Sequence, residues 1–245
     1  MSQQKSKREL ALRAIYRNIQ HLRAEANIAF SSRRHSSAVH FAILANEEAA
    51  KYLLVYCKEH VADSVYKSRF RHIPKHRISL APWHMAGMIS AANLMYTLDS
   101  ADIEDAGNAF GKITKSLLSG YREPEKVAEI ILECLKPDDN AKREERRATE
   151  MLARDMDRRS SVYVDLSDDF EIIGSPSKMG KKKAVEYIES MNVAVATIDF
   201  VRSPKFGIDQ YMDALPASLR RENRKMAATF LKRLRKSLAE NKKGG

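Results

Sequence analysis

The sequence predicts an all-α protein built as a helical bundle. Its 245 residues include only 9 glycines and 7 prolines, and such a shortage of helix breakers favours long helices over a many-turned fold. Apolar residues also recur at helical spacing along several long segments. One run, Val162-Tyr163-Val164-Asp165-Leu166, joins β-branched and aromatic residues, and it predicts a short β-type segment at residues 162–166.

The helical pattern is interrupted at polar or proline-containing stretches, and these set the predicted boundaries. The predicted helices cover residues 6–30, 36–60, 83–100, 102–119, 124–136, 178–202 and 217–241. Residues 141–159 are highly charged and helix-prone, which is consistent with either an exposed helix or a connector. In the second of them, Ser36 or Ser37 is the expected N-cap, because a serine hydroxyl can accept a hydrogen bond from a free backbone N–H.

We expect three regions along the chain. Residues 1–137 form a helical domain, and residues 138–177 form a charged connector that contains the short β segment. Residues 178–245 supply additional C-terminal helices that form a basic region packing on the core. Ten Lys or Arg and only two Glu lie between residues 220 and 243.

Composition points to a polyanionic partner inside the cell. The net charge is +11 and the pI is about 9.6, which promotes association with RNA or acidic proteins, although a basic surface that only aids solubility is the alternative. The two cysteines, Cys57 and Cys134, lie in apolar helical patterns and form neither a disulfide framework nor a zinc spacing. Without a signal-like segment or a long apolar run, we expect a cytoplasmic protein and no membrane partner.

The first motif is Glu47-Glu48-Ala49-Ala50-Lys51. It lies on a helix whose first half is apolar nearly all round, which predicts a central helix and a buried carboxylate pair. The apolar residues that share a helix face with Glu48 are Phe41, Ala45, Tyr52 and Tyr56. A buried carboxylate must be paired, and Lys51 can reach either acid. The motif is either a structural ion pair or a group that orients a basic side chain from another segment.

The second motif is Phe70-Arg71-His72-Ile73-Pro74-Lys75-His76. Residues 67–77 contain seven basic or titratable side chains and no acid, a combination that attracts phosphate. These side chains are Lys67, Arg69, Arg71, His72, Lys75, His76 and Arg77. Histidine can move protons near neutral pH, and arginine can hold a phosphate or a developing phosphorane. The alternatives are a solvated basic loop or a His72 that packs against the acidic pair.

Two further patterns carry less weight. Arg34 and His40 form a second Arg-to-His pattern at the start of the second helix. His72 and His76 are four residues apart, but Pro74 between them argues against a helical metal-binding pair, and no acid completes a site. Because the chain also lacks a Gly-rich phosphate loop and a nucleophile elbow, we expect neither a metal nor a cofactor.

Together these motifs resemble the AbiV family of bacterial abortive-infection proteins, which belongs to the HEPN superfamily. Residues 38–51 are similar to the family's apolar helix that ends in Glu-Glu-x-Gly-Lys, with Ala50 in place of the glycine. Residues 70–75 are similar to its Phe-Arg-x-His-x-x-Lys segment, although His72 follows Arg71 directly. Residues 158–165 are similar to its later basic stretch that ends in Tyr-Val-Asp.

The resemblance implies a HEPN-like bundle, commonly a homodimer with the Arg and His groups of both protomers facing one cleft. It also implies RNA cleavage without a metal, in response to phage infection and with a phage-encoded trigger protein as a possible partner. In this hypothesis Arg71 binds phosphate and His72 or His76 transfers protons. The acidic motif orients these groups through Glu47, Glu48 and Lys51, and the expected RNA contacts are Arg34, His40, Arg69, Lys75 and Arg77.

Two alternatives from other classes stay open. The first is a helical protein that binds RNA or the ribosome and blocks translation without cleaving anything. The second is a protein-interaction module whose basic C-terminal helix binds an acidic partner.

Overall fold

The structure is a computed structural model. It describes residues 2–61, 82, 85–86, 89, 124–134, 141–162, 165–166, 172–203, 206–217 and 219–221. The helices in this part of the chain are α1 (Ser2–Ser31), α2 (His35–His60), α3 (Pro124–Cys134), α4 (Ala141–Ser160), α5 (Lys181–Arg202) and α6 (Ile208–Ala214). Two short strands, β1 (Asp165–Leu166) and β2 (Ile172–Gly174), and a 3-10 helix (Pro176–Lys178) follow α4. The predicted all-α class is confirmed.

A tight turn joins α1 to α2. The Arg34 N–H donates to the Ala29 carbonyl at 2.8 Å, and the Arg33 N–H donates to the Phe30 carbonyl at 2.9 Å. This is the Schellman arrangement that commonly ends a helix. It requires a left-handed residue, here Arg33 with φ 59° rather than the usual glycine. The turn folds α1 and α2 into an antiparallel pair.

The same turn overturns the predicted cap of α2. The helix begins at His35, and its N-cap is Arg34, which makes no side-chain capping bond. The Arg34 carbonyl already accepts the first helical hydrogen bond, from the Ala38 N–H at 3.0 Å. Ser36 and Ser37 therefore lie inside the first turn, and the expectation that one of them is the N-cap is wrong.

Helix α2 is the centre of the described bundle. It packs against α1 and α5, and also against α3, the end of α4 and the 3-10 helix. Its buried residues are Ala38, Val39, Ala42, Ile43, Ala45, Asn46, Ala49, Ala50, Tyr52, Leu53, Tyr56 and Cys57. The central position predicted from its apolar pattern is confirmed.

Helix α5 is the second buried helix, and polar contacts fix it to its neighbours. Its Asp199 accepts a hydrogen bond from the Tyr16 hydroxyl of α1 at 2.8 Å. The Arg202 guanidinium lies over the Tyr16 ring, 4.0 Å from its centroid. Nearby, burial raises the pKa of Tyr52 to about 12, which keeps this phenol neutral inside the α1–α2–α5 contact.

The β segment departs from the prediction at its first residue, Val162. β1 and β2 pair antiparallel, with Asp165 opposite Gly174 and Leu166 opposite Ile172. Val162 instead lies in the turn after α4, where its N–H donates to the Arg159 carbonyl at 3.1 Å. Backbone hydrogen bonding thus continues the helical end for two residues beyond α4. Asp165 and Leu166 of the predicted run form β1, and residues 163–164 lie outside the described residues.

The structure tests some of the remaining predictions, and others fall on residues that it does not describe. Helix α5 begins at Lys181 and not at residue 178, because a 3-10 turn ending at Lys178 precedes its N-cap Gly180. Cys57 is buried, with its sulfur 3.7 Å from the Ala128 carbonyl of α3. The helices predicted at 83–100 and 102–119, and residues 222–241 of the helix predicted at 217–241, lie largely or wholly outside the described residues. The division into three regions stays a prediction. Within the described residues, no helix has the length and apolar character needed to cross a membrane.

Candidate functional site

The acidic motif on α2 separates into two differently placed acids. Glu48 is largely buried, with 18% of its side chain exposed, and Lys51 Nζ lies 2.5 Å from its Oε1. Glu47 is 48% exposed, and its Oε1 lies 3.9 Å from Nε of Arg158 on α4. The prediction of a buried carboxylate pair is therefore wrong for Glu47, because adjacent helical residues point about 100° apart.

Arg158 lies at the end of α4 between two carboxylates. Its Nη2 donates to Oδ1 of Asp155, one turn earlier, at 3.0 Å. The contact with Glu47 is longer and solvent-exposed on both sides. Exposed pairs of this kind hold side chains only weakly, so the guanidinium stays available to a stronger anion such as phosphate.

His40 faces this same junction between α2 and α4. Glu47 follows it by seven residues, two helical turns along the same face. The His40 Nδ1 lies 3.4 Å from the hydroxyl oxygen of Ser161, just after α4. Burial lowers the pKa of His40; the Glu47 carboxylate opposes this shift and the Arg158 guanidinium adds to it. The imidazole is therefore mainly neutral at pH 7 and able to accept a proton.

The end of α4 is itself anchored to α5. The buried Tyr187 hydroxyl donates to Asp157 Oδ2 at 2.7 Å, and Lys183 Nζ lies 2.9 Å from the same oxygen. Burial and the Asp157 carboxylate together raise the pKa of Tyr187. One carboxylate thus binds two groups of α5, and it fixes the turn of α4 that carries Arg158.

Arg34 is not placed to act with His40 on one helix face. It is the exposed N-cap residue of α2. The six residue steps from Arg34 to His40 advance about 9 Å and turn through about 600°, so the two side chains leave the helix in different directions. Arg34 and His40 therefore do not form a pair on a single surface of α2.

The basic motif lies outside the described residues. Its predicted members Arg69, Arg71, His72, Lys75, His76 and Arg77 are all in that part of the chain. Their proximity to Glu47 and Glu48 stays a prediction. Among the described residues, no group of three or more His, Cys, Asp or Glu side chains is arranged to hold a metal ion.

Sequence reasoning missed the residues that α4 and α5 bring to His40. Arg158 and Ser161 lie in a segment that the family resemblance had marked, but nothing in the spacing indicated their contact with α2. Asp157, Lys183 and Tyr187 carried no local signal. Their pairing depends on which helices meet, and the period of one helix does not determine that.

Comparison with known proteins identifies the family to which the chain belongs. The chain has the helical fold of a HEPN protein, and the HEPN_AbiV family model, described as AbiV, matches residues 9–196. The protein therefore belongs to the AbiV family of HEPN proteins, and membership indicates a HEPN-type function in abortive infection. No curated protein and no solved structure matches the chain. Two of the three family-like segments, residues 38–51 and 158–165, meet in space through the Glu47–Arg158 and His40–Ser161 contacts.

Proposed function

We propose that the protein is an antiphage abortive-infection effector that cleaves RNA without a metal ion, as a homodimer, and so halts growth or translation during infection. The observation that carries this proposal is the environment of the His40 imidazole. Its imidazole is mainly neutral at pH 7, one ring nitrogen contacts Ser161, and the Arg158 guanidinium is close enough to influence its charge. A neutral imidazole beside a cation is the pair that metal-free RNA cleavage needs.

The proposed reaction uses the nucleophile that RNA itself supplies. His40 takes the proton of a ribose 2′-hydroxyl, and the 2′-oxygen then forms a bond to phosphorus. The bond from phosphorus to the 5′-oxygen breaks, and this oxygen receives a proton from an acid, for which His72 or His76 is the proposed donor. The products are a 2′,3′-cyclic phosphate and a 5′-hydroxyl end.

Basic side chains of α2, of α4 and of the basic motif at residues 70–76 and its flanks would bind the phosphate groups of the RNA. Arg158 and Arg71 would stabilise the negative charge that grows on the phosphorane. The exposed Arg34, together with Arg69, Lys75 and Arg77, would bind the flanking phosphates, in keeping with the net charge of +11. Glu47 would hold Arg158 in place, and Glu48 would do the same for Lys51, until RNA binds.

The test is cleavage of total RNA by the purified protein in EDTA. We expect wild type to produce cyclic-phosphate ends, and His40→Gln to lower the rate by about 10²- to 10⁴-fold, the usual contribution of a general base. His21→Gln is the matched control, because His21 is an exposed histidine of α1 and lies outside the site. A His72→Ala/His76→Ala double variant tests the predicted acid.

The assay is repeated with co-expressed phage proteins, since a toxin that awaits a trigger would be silent alone. RNA binding without cleavage under both conditions would contradict the proposal and favour the non-catalytic translation inhibitor. The net charge of +11 supports RNA binding by either kind of protein. If the protein neither binds nor cleaves RNA, both the nuclease and the RNA-binding translation inhibitor are contradicted. The protein-interaction module then remains.

A further inference from the structure

We infer that Ser161 is a positioning residue that holds His40 in the tautomer protonated at Nδ1, which leaves Nε2 as the basic nitrogen. The tautomer is a property of the folded protein by itself. Its consequence for RNA cleavage rests on the proposed function.

The argument begins with the single hydrogen of the Ser161 hydroxyl. The hydroxyl donates to the Arg158 carbonyl at 2.7 Å, and a carbonyl oxygen can only accept. That hydrogen is therefore already committed to a short bond. At 3.4 Å from His40 Nδ1, the Ser161 oxygen is left only with lone pairs. For a hydrogen bond to form there, the imidazole must be the donor, and the proton of neutral His40 must lie on Nδ1.

Ser161 is held firmly enough to impose this choice. It is 5% exposed, and its backbone N–H donates to the Asp157 carbonyl at 2.9 Å. Asp157 is in turn bonded to Tyr187 and Lys183 of α5. The serine is thus part of an anchored helix end, and rotating its hydroxyl toward His40 would leave the Arg158 carbonyl without this bond.

The arrangement suits a group that gains and loses a proton. Both ring nitrogens carry hydrogen in the imidazolium form, so the Nδ1–H bond to Ser161 is the same before and after protonation. Only Nε2 changes state. Among the described residues, the charged groups that act on the ring are Glu47 on its own helix and Arg158 on α4. A site in which the supporting bond need not rearrange during proton transfer is preorganised for that transfer.

Nitrogen NMR of the full-length protein tests the tautomer directly. With ¹⁵N-labelled histidine rings, a long-range proton–nitrogen correlation spectrum separates protonated from unprotonated nitrogens, and the loss of signals in His40→Gln assigns the ring. At about pH 8, where the ring is neutral, we expect wild-type His40 to show a protonated Nδ1 and an unprotonated Nε2. Ser161→Ala should move the population toward Nε2–H, and Ser161→Thr, which keeps the hydroxyl, should restore it.

Ser160→Ala is the matched control, since Ser160 is an equally buried neighbour at the end of α4. It should leave the His40 spectrum unchanged. A wild-type ring protonated at Nε2, or an unchanged Nδ1–H population in a folded Ser161→Ala protein, would overturn the assignment. If Ser161→Ala does not fold, the wild-type spectrum alone still decides the tautomer.

Cleavage kinetics then separate this inference from the proposed function. Ser161→Ala should lower kcat by about two- to tenfold, the worth of one neutral hydrogen bond, with KM unchanged. The Thr variant should recover the rate. If wild type cleaves no RNA, the proposed function fails while the tautomer is decided by NMR. If Ser161→Ala shifts the tautomer but keeps the wild-type kcat, the positioning role fails while RNA cleavage stands.

Discussion

At the scale of single residues, His40 shows how burial can outweigh neighbouring charges. The Glu47 carboxylate favours its protonated form, yet burial and Arg158 together lower the pKa below the usual value. The folded protein therefore binds this proton less tightly than the unfolded chain does. The stability that neutral His40 contributes is complete above the unfolded pKa of about 6.5, and it is lost as pH falls through the lower folded pKa.

This difference predicts a measurable effect of pH on unfolding. Between about pH 8 and pH 5, His40→Gln should lose less of its free energy of unfolding than wild type, because glutamine has no proton to gain. The measurement is urea denaturation at a series of pH values. His21→Gln, at an exposed histidine of α1, is measured beside it as the control for removing a histidine elsewhere on the protein. Parallel curves for wild type and His40→Gln would show that His40 titrates alike in both states.

At the scale of elements, the polar contacts described between α4 and α5 meet at one carboxylate, that of Asp157. Asp157 is mostly buried and binds both the Tyr187 hydroxyl and the Lys183 ammonium of α5. Asp155, two residues earlier, is about half exposed, and within the part of the chain that the structure describes its ion pairs are with Arg158 and Arg159 of its own helix. The two residues have the same chemistry on the same helix, so they separate the effect of burial from that of charge.

We therefore predict unequal effects of the same substitution. Asp157→Ala leaves the buried Tyr187 hydroxyl without its acceptor and should lower the free energy of unfolding by about 1–3 kcal/mol. Asp155→Ala should change it by less than about 1 kcal/mol, as for other exposed pairs. Urea denaturation of the three proteins measures both values. Equal losses would mean that the α4–α5 contact contributes nothing beyond helix propensity.

The bounds of α2 followed closely from its sequence pattern, whereas the conformation of the turn that precedes it did not. The apolar spacing predicted α2 within one residue at its start, and its end at residue 60 was correct. It could not show that Arg33 would adopt a left-handed conformation, because that position commonly holds glycine. The run from Val162 to Leu166 has strong β propensity. Its first residue, Val162, instead donates a backbone hydrogen bond to Arg159 at the end of α4.

At the scale of the whole molecule, local contacts were predictable and distant ones were not. Lys51 and Glu48 are three residues apart on one helix, so their pairing could be inferred from spacing alone. The contact between His40 and Ser161 spans 121 residues. It exists because α4 ends against α2, and an amphipathic pattern shows that a face is buried without showing which element covers it.

The central position of α2 leads to a prediction about the whole core. Leu53 on α2 is completely buried, and Leu53→Ala should leave a cavity that costs about 2–5 kcal/mol of unfolding free energy. Leu10→Ala makes the same chemical change on α1, where the side chain is 58% exposed, and should cost under about 1 kcal/mol. Urea denaturation with a common slope for all variants gives the comparison.

Because α2 packs against most of its neighbours and also carries His40, Glu47 and Glu48, the Leu53 variant should lose the His40–Ser161 contact at a lower urea concentration than wild type. Loss of that contact at an unchanged urea concentration would mean that the site and the core unfold separately, contrary to a single bundle organised around α2.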